Sequence, residues 1–408
     1  MTSLYNFAIY TYNILIRISA AFGNTKAKLW LKGREKIFER IDTALQPAEK
    51  RIWIHASSLG EFEQGRPVIE KLKELRPDYK IVLTFFSPSG YEIRKDYKGA
   101  DYIFYLPLDT RENAVRFLDL VKPEKAIFIK YEFWFNYLTT LKVRNTPLYL
   151  VSANFRKDQH FFKWYGGWFR KLLHNFTHIF VQNERSENLL KSIGFNNITI
   201  AGDTRFDRVY SIATSSRELP EVKNFVGNSF CIIAGSTWEP DEDLLIKYFN
   251  ETPHPVKMIM APHEIKDAAI ESIIQKLSKK AVRYSQLHTA QTADVLIIDN
   301  IGMLSSLYRY GKIAYIGGGF GKGIHNILEA ATFGLPVLFG PNYHKFQEAV
   351  NLEKAGGAFP VTEYPAMKTI LDSLIEDPTK NKKCSQISRQ FVENNLGATN
   401  IILEKILK

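Results

Sequence analysis

From Arg51 onward, short runs rich in Val, Ile, Phe and Tyr alternate with segments whose apolar residues recur at helical spacing. The runs predict strands buried on both faces, and the segments predict amphipathic helices. "RIWIHA", "KIVLTFF", "DYIFYLPLD", "KAIFIKYEF", "PLYLVSANF", "HIFVQ" and "ITIAGD" read as strands, with helical patterns such as "FEQGRPVIEKLKEL" and "RENAVRFLDLV" between most of them. A second series, "SFCIIAGSTW", "VKMIMAPHEI", "ADVLIIDN", "IAYIGGG" and "PVLFG", follows the polar junction "SSRELPEVKNF". Such alternation implies an α/β protein with two doubly wound domains, each a parallel sheet covered by helices. We divide the chain into residues 1–45, 46–210 and 211–408, and the last helical run, "IILEKILK", carries no signal for where it packs.

The segment before the first strand differs. "LYNFAIYTYNILIRISAAF" is apolar and aromatic, lacks the features of a cleaved signal peptide, and is marginal as a membrane span. Lys26, Lys28, Lys32, Arg34 and Lys36 follow it. An aromatic helix followed by a basic cluster is the pattern of an interfacial anchor on an anionic leaflet, and a helix buried against its own protein is the alternative. Charge sharpens the picture, because the formal net charge of +11 lies wholly within residues 1–200, while the rest is balanced. A one-sided basic surface fits an anionic membrane, a phosphorylated substrate or a nucleic acid. The two cysteines, Cys231 and Cys384, lie far apart and match neither a metal nor a disulfide framework, so no structural metal is expected.

In open α/β sheets ligands bind beyond the carboxyl ends of the strands, so residues just after each strand carry most weight. "YIGGGFGKGIHNILEAATFG" runs from a strand through Gly317, Gly318 and Gly319 into a helix starting near Asn326. Backbone amides of such a loop can meet a phosphate, and Glu329, one turn past Asn326, can meet ribose hydroxyls. Neither the Walker nor the dinucleotide spacing is present. Gly235, Ser236 and Thr237 sit at another strand end and either bind a phosphate or cap the next helix. His263 follows a strand beside Pro262, without the second ligand a metal would need. Glu61, after Ser58 and Gly60, has two readings: a carboxylate placed to suit a helix dipole, or a general base facing a cleft.

Taken in order, "HASSLGE", "FSPSGYE", "YLPLD", "YEFWFN", "GDTRFD", "GSTW", "IIDNIGML" and "IHNILEAATFGLPVLFGP" resemble the motifs of the 3-deoxy-D-manno-octulosonic acid (Kdo) transferases, over nearly the whole chain. The resemblance implies a GT-B fold, with two Rossmann-like domains and an N-terminal membrane-anchor helix. It implies a metal-independent, inverting glycosyltransferase of lipopolysaccharide biosynthesis at the cytoplasmic face of the inner membrane. The donor would be CMP-Kdo, bound by the C-terminal domain, and the acceptor a lipid A precursor, bound by the N-terminal domain. Anionic inner-membrane lipid would be a further partner; no cofactor and no nucleic acid are implied. By the same resemblance Glu61 is the proton acceptor and Arg205 stabilises the transition state. CMP contacts fall on Pro262 and His263, on Gly302, Met303 and Leu304, and on Asn326, Ile327, Leu328 and Glu329, joined by Gly235, Ser236 and Thr237. Acceptor contacts fall on Ser58, Gly60, Ser89 and Glu132. Two departures stand out. Lys130 replaces a Glu that the family links to the transition state, leaving that role to Glu132 or a different one to Lys130. The loop "APHEI" is shortened and lacks the family's arginines. A UDP-sugar enzyme of the same fold and a non-catalytic anionic-lipid-binding module are the competing readings.

Overall fold

The computed structural model describes residues 2–289 and 292–408. The chain divides into two compact units, one running through Arg208 and resumed by Gly397–Lys408, the other spanning Val209–Leu396. The first holds strands β1 (Arg51–Ala56), β2 (Lys80–Phe85), β3 (Tyr102–Tyr105), β4 (Lys125–Ile129), β5 (Leu148–Ala153), β6 (His178–Val181) and β7 (Ile198–Ile200). The second holds β8 (Phe230–Thr237), β9 (Val256–Pro262), β10 (Ala281–Arg283), β11 (Val295–Ile297), β12 (Ile313–Ile316), β13 (Val337–Phe339) and β14 (Ala358–Pro360). The sheet orders are β3-β2-β1-β4-β5-β6-β7 and β10-β11-β9-β8-β12-β13-β14. The ladders are parallel, from Ile52 opposite Ile81 in the first sheet to Ala314 opposite Ile233 in the second. The strand order therefore reverses at β1/β4 in the first sheet and at β8/β12 in the second, and a crevice opens beyond the carboxyl ends of the strands at such a reversal.

Burial explains the unbroken apolar strands. β1 is buried along its whole length. Trp53 faces one layer, where its ring packs 4.8 Å from Phe117 and 4.9 Å from Phe128. Ile52 and Ile54 face the other, with Ile69, Leu72 and Ile127. The helix Ala398–Leu407 completes this second layer through Ile402, Leu403 and Ile406. Its N-terminus is fastened by Asp207, whose carboxylate accepts the amides of Gly397 and Thr399 at 2.7 Å each. The last helix thus leaves the C-terminal unit that sequence assigned to residues 211–408, because its apolar face fits the groove beside Leu59–Leu75.

Residues 1–45 belong to the first unit. The helix Thr2–Ala21 is fixed by a polar knot: Tyr5 donates to Asp109 at 2.5 Å, and Asn136 Nδ2 donates to Asn6 at 3.1 Å. The Asp109 carboxylate also accepts the amides of Asn136 and Tyr137, the first turn of the helix Phe135–Val143. Burial pushes the Asp109 carboxyl up to about 6. The other face of the N-terminal helix is an exposed stripe that includes Leu4, Phe7, Ile14 and Ile18 and ends in Phe22. Among the described residues no helix is long and apolar enough to cross a membrane. Within the basic cluster Lys26, Lys28, Lys32 and Lys36 are exposed. Arg34 departs from them: its guanidinium turns inward, donates to the carbonyls of Trp30, Phe86 and Leu106, and lies 3.8 Å over the Trp30 ring. Desolvation lowers its pKa to about 9.

Candidate functional site

Each unit holds candidate residues at the point where its own strand order reverses. In the first, β1 ends at Ala56 and the helix Leu59–Leu75 begins after Ser58. Glu61 occupies the third helical position, and its Oε2 accepts the Ser58 amide at 2.9 Å and contacts the Ser58 hydroxyl. This is the reciprocal half of a capping box, so the helix-stabilising reading of Glu61 is realised in the structure. The Ser57 carbonyl accepts the amides of Phe86 and Ser87, which draws the β2 end, with exposed Ser89, beside Ser58 and Gly60. Thr204 donates to the Gln64 carbonyl and bonds Ser152 at 3.0 Å, which docks the segment after β7 against the Glu61 helix. Arg205 in that segment forms a close ion pair with Asp203, 2.7 Å from Nη2 to Oδ2.

At the end of β4 the backbone of Lys130 turns left-handed, with φ of 70°. A non-glycine residue in this region carries roughly 1–2 kcal/mol of strain. Its amide still pairs with the Val151 carbonyl at 2.8 Å, and its ammonium lies 5.7 Å from the Tyr131 ring centroid. Two residues on, Glu132 is buried and turned into the protein. Its Oε2 accepts the Trp134 indole at 2.6 Å and lies 3.2 Å from His55 Nε2. His55 Nδ1 in turn lies 2.9 Å from the Thr84 hydroxyl, which accepts the Trp53 indole at 2.8 Å. Trp53 donates to the Thr84 hydroxyl and Trp134 to Glu132, and His55 bridges Thr84 and Glu132 through its two ring nitrogens. Glu132 thus anchors a buried network beneath the strand ends of this unit. His55, Thr84 and Trp134, which sequence did not single out, belong to that network. The His of "HASSLGE" in a fully buried strand was the available signal.

In the second unit the candidate residues lie at the ends of β8, β9, β11 and β12. Ser236 is left-handed with φ of 53°, which shifts the β8–β9 register, and Thr237 donates to Glu242 at 3.0 Å. The Thr237 carbonyl accepts the His263 amide at 2.8 Å, bringing Pro262 and His263 alongside. The loop from Gly302, itself at φ of 96°, leads to Met303 and Leu304. Ser305 then donates to Glu329 at 2.6 Å, and Asn326 Nδ2 donates to Glu329 at 3.2 Å. The structure therefore brings the segment after β11, through Ser305, together with Asn326 and Glu329. Ile327 and Leu328 bury their side chains. Only their backbone is left for a ligand.

The glycine loop works differently from the expected phosphate cradle. The amides of Gly317 and Gly318 are taken by the Gly235 carbonyl and the Asp241 carboxylate, and those of Gly321 and Gly323 by the Gly318 carbonyl. The helix beyond it is only Leu328–Thr332. The glycines are needed for close packing instead: a Cβ on Gly317 would lie 2.2 Å from the Ser236 carbonyl, and one on Gly319 2.6 Å from the Gly340 backbone. Asp241, buried at the start of the helix Glu239–Glu251, also accepts the Tyr315 hydroxyl at 2.8 Å and so clamps the loop. Neither Asp241 nor His325 in that loop was flagged by sequence. Among the described residues no cluster of His, Cys, Asp and Glu could hold a metal ion.

Comparison with known proteins supplies the family. Residues 33–208 match the family model described as 3-deoxy-D-manno-octulosonic-acid transferase (kdotransferase). The 3-deoxy-D-manno-octulosonic acid transferase of Aquifex aeolicus is 30% identical over 356 residues, covering 85% of this chain and 92% of that protein. That of Rickettsia bellii is 28% identical, covering 88% and 87%. Among solved structures, UDP-GlcNAc 2-epimerase from Neisseria meningitidis bound to UDP-GlcNAc superposes with a TM-score of 0.62 at 18% identity, covering 88% of this chain and 99% of that one. MurG of Acinetobacter baumannii superposes at 0.54 and 12% identity, over 88% and 99%. These superpositions establish a GT-B-like architecture, and the identity to the Aquifex enzyme over almost its full length establishes more: the chain belongs to the 3-deoxy-D-manno-octulosonic acid transferase family of glycosyltransferases.

Proposed function

We propose that the protein transfers Kdo from CMP-Kdo to a hydroxyl of a lipid A precursor, with inversion at the anomeric carbon. Family membership supports the Kdo donor. The observation that carries the mechanism is Glu61, one turn past the strand at which the first sheet reverses, with Oε2 held by Ser58. In this reading Glu61 Oε1 takes the acceptor proton. The acceptor oxygen forms its bond to the anomeric carbon as the bond to the CMP phosphate oxygen breaks, and CMP leaves with that electron pair. Arg205 offsets charge developing on the phosphate, and the Asp203 pair keeps its guanidinium oriented. Lys130 supplies a second cation at the β4 end, where the family carries a carboxylate. CMP-Kdo is a substrate, so the reaction needs no resident cofactor.

The same reading puts the protein on the cytoplasmic face of the inner membrane. The exposed apolar stripe of Thr2–Ala21 would lie in the interface, with Lys26, Lys28, Lys32 and Lys36 against anionic lipid headgroups. The Tyr5–Asp109 knot favours a helix lying on the bilayer over one that leaves the protein to span it.

The test is Glu61→Ala, assayed by mass spectrometry with CMP-Kdo and a tetra-acylated lipid A precursor. Transfer should fall by at least about a hundredfold while CMP binding persists. Near-normal transfer by the folded variant would remove Glu61 as the base. Thermal stabilisation by UDP rather than CMP would instead favour a UDP-sugar enzyme, the activity named for several superposable structures.

A further inference from the structure

In the glycine loop the amides of Gly317, Gly318, Gly321 and Gly323 are already bonded within the protein, the following helix is only Leu328–Thr332, and neither Pro262–Lys266 nor Gly317–Glu329 contains an arginine. Another feature occupies the same strand ends. His263 follows β9, His325 lies in the loop after β12, and Trp238 follows the intervening β8. The two imidazoles lie 4.5 Å apart with planes 25° from parallel. The Trp238 indole stacks on His263 at 4.5 Å and donates its N–H to His325 Nε2 at 3.2 Å. That bond requires an unprotonated Nε2, so His325 is neutral in the ligand-free protein, with its proton on Nδ1.

We propose that His325, with His263, is the seat of the nucleotide phosphate, and that His325 takes up a proton when the phosphate binds. The proposal rests on the CMP reading above and adds to it a residue and a linked proton. Its electrostatic surroundings support it. Burial, and then the adjacent His263, hold the His325 imidazole below the ordinary histidine range, while Asp241 pulls the other way. Asp241 comes from the helix Glu239–Glu251, whose first turn also carries Glu239 and Glu242. The β9 loop adds Glu264, paired with Lys266, and the glycine loop adds Lys322. A charged imidazole at His325 is disfavoured by burial and by its neighbour, and a phosphate against it supplies the compensating charge. Protonation at Nε2 breaks the Trp238 bond and frees the indole, so binding also reorganises the stack.

The experiment is calorimetric titration of the full-length protein with CMP, at pH 7.5, in buffers of differing ionisation enthalpy. Wild type should take up close to one proton per CMP, and His325→Gln should take up markedly less and bind CMP more weakly. The phosphate of CMP has its own ionisation near pH 6. That contribution is common to both proteins, so the difference isolates the imidazole. Affinity for CMP should fall by up to about tenfold per pH unit above the His325 midpoint in wild type and be flatter in the variant. Cytidine, which lacks the phosphate, should show no uptake. Should His325→Gln fail to fold, His325→Asn, which also removes the imidazole, gives the same comparison. Equal uptake by wild type and both variants overturns the proposal. UDP binding with uptake while CMP does not bind would keep the imidazole seat and overturn the CMP reading. Binding by neither nucleotide overturns both.

Discussion

The claim that the glycine loop is shaped by packing has a sharp test in Gly319→Ala. The new Cβ would lie 2.6 Å from the Gly340 Cα and nitrogen and 2.7 Å from its carbonyl carbon. Carbon contacts settle at about 3.5–4.0 Å, so the loop after β12 and the end of β13 must part by roughly 1 Å. Both neighbours are backbone, so no side chain can rotate away. Overpacking of this kind costs about 1–3 kcal/mol, which lowers the melting temperature of a unit this size by roughly 2–12 °C. A shift of about 1 Å in the loop bearing His325, Asn326 and Glu329 should also reduce kcat/KM by up to about a hundredfold. Gly321→Ala is the control, because its Cβ would meet nothing closer than the Gly318 carbonyl at 3.5 Å. Melting curves with and without CMP decide the matter. A Gly319→Ala protein with wild-type stability and CMP response would refute the packing account. So would a Gly321→Ala protein as impaired as Gly319→Ala, since that would mean ligand approach governs the glycines.

Three further outcomes are expected. Because Asp109 titrates at about 6 in the fold and near 3.8 unfolded, the folded state binds more protons between these values, and stability falls as pH rises through that window. The difference reaches about 3 kcal/mol, so urea unfolding at pH 4.5 and 7.5 should show that pH dependence reduced in Asp109→Asn, and an unchanged dependence would contradict it. Tyr5→Phe removes a hydrogen bond to a carboxylate, worth about 1.5–3 kcal/mol, and should speed amide exchange across residues 2–21; unaltered exchange would mean the knot does not hold the helix. Phe7→Glu with Ile14→Glu alters only exposed positions, so the protein should melt normally yet lose sedimentation with anionic liposomes, and retained sedimentation would refute the interfacial role.

The hydrophobic pattern exposed every strand of the first sheet, each marked by an apolar run. In the second sheet it missed β10 and β14, whose sequences AVR and AFP lack the unbroken apolar run that marks the equally short β11 and β13. Glu329 with Asn326 was legible from helical spacing, although its bond to Ser305 comes from a different strand end. Arg34 read as one more surface cation, since nothing in "KAKLWLKGREK" distinguishes a guanidinium that turns inward onto Trp30 from lysines that do not. His325 and Asp241 were hidden for a similar reason: their meaning lies in contacts with Trp238 and with the Gly318 amide, each from a separate segment. The glycines misled, because sequence shows that a side chain is absent but not whether a ligand or a neighbouring backbone fills the space.

The return of residues 397–408 to the first unit has a consequence for synthesis. A ribosome delivers Met1–Arg208 first, then all of Val209–Leu396, and only afterwards Ile402, Leu403 and Ile406. The first unit therefore waits, with the groove beside Ile69 and Leu72 uncovered, while its neighbour is made. The early unit is the one exposed to chaperones and proteases in that interval. Deletion of residues 397–408 would injure the unit that carries Glu61, not the unit that precedes them in the chain.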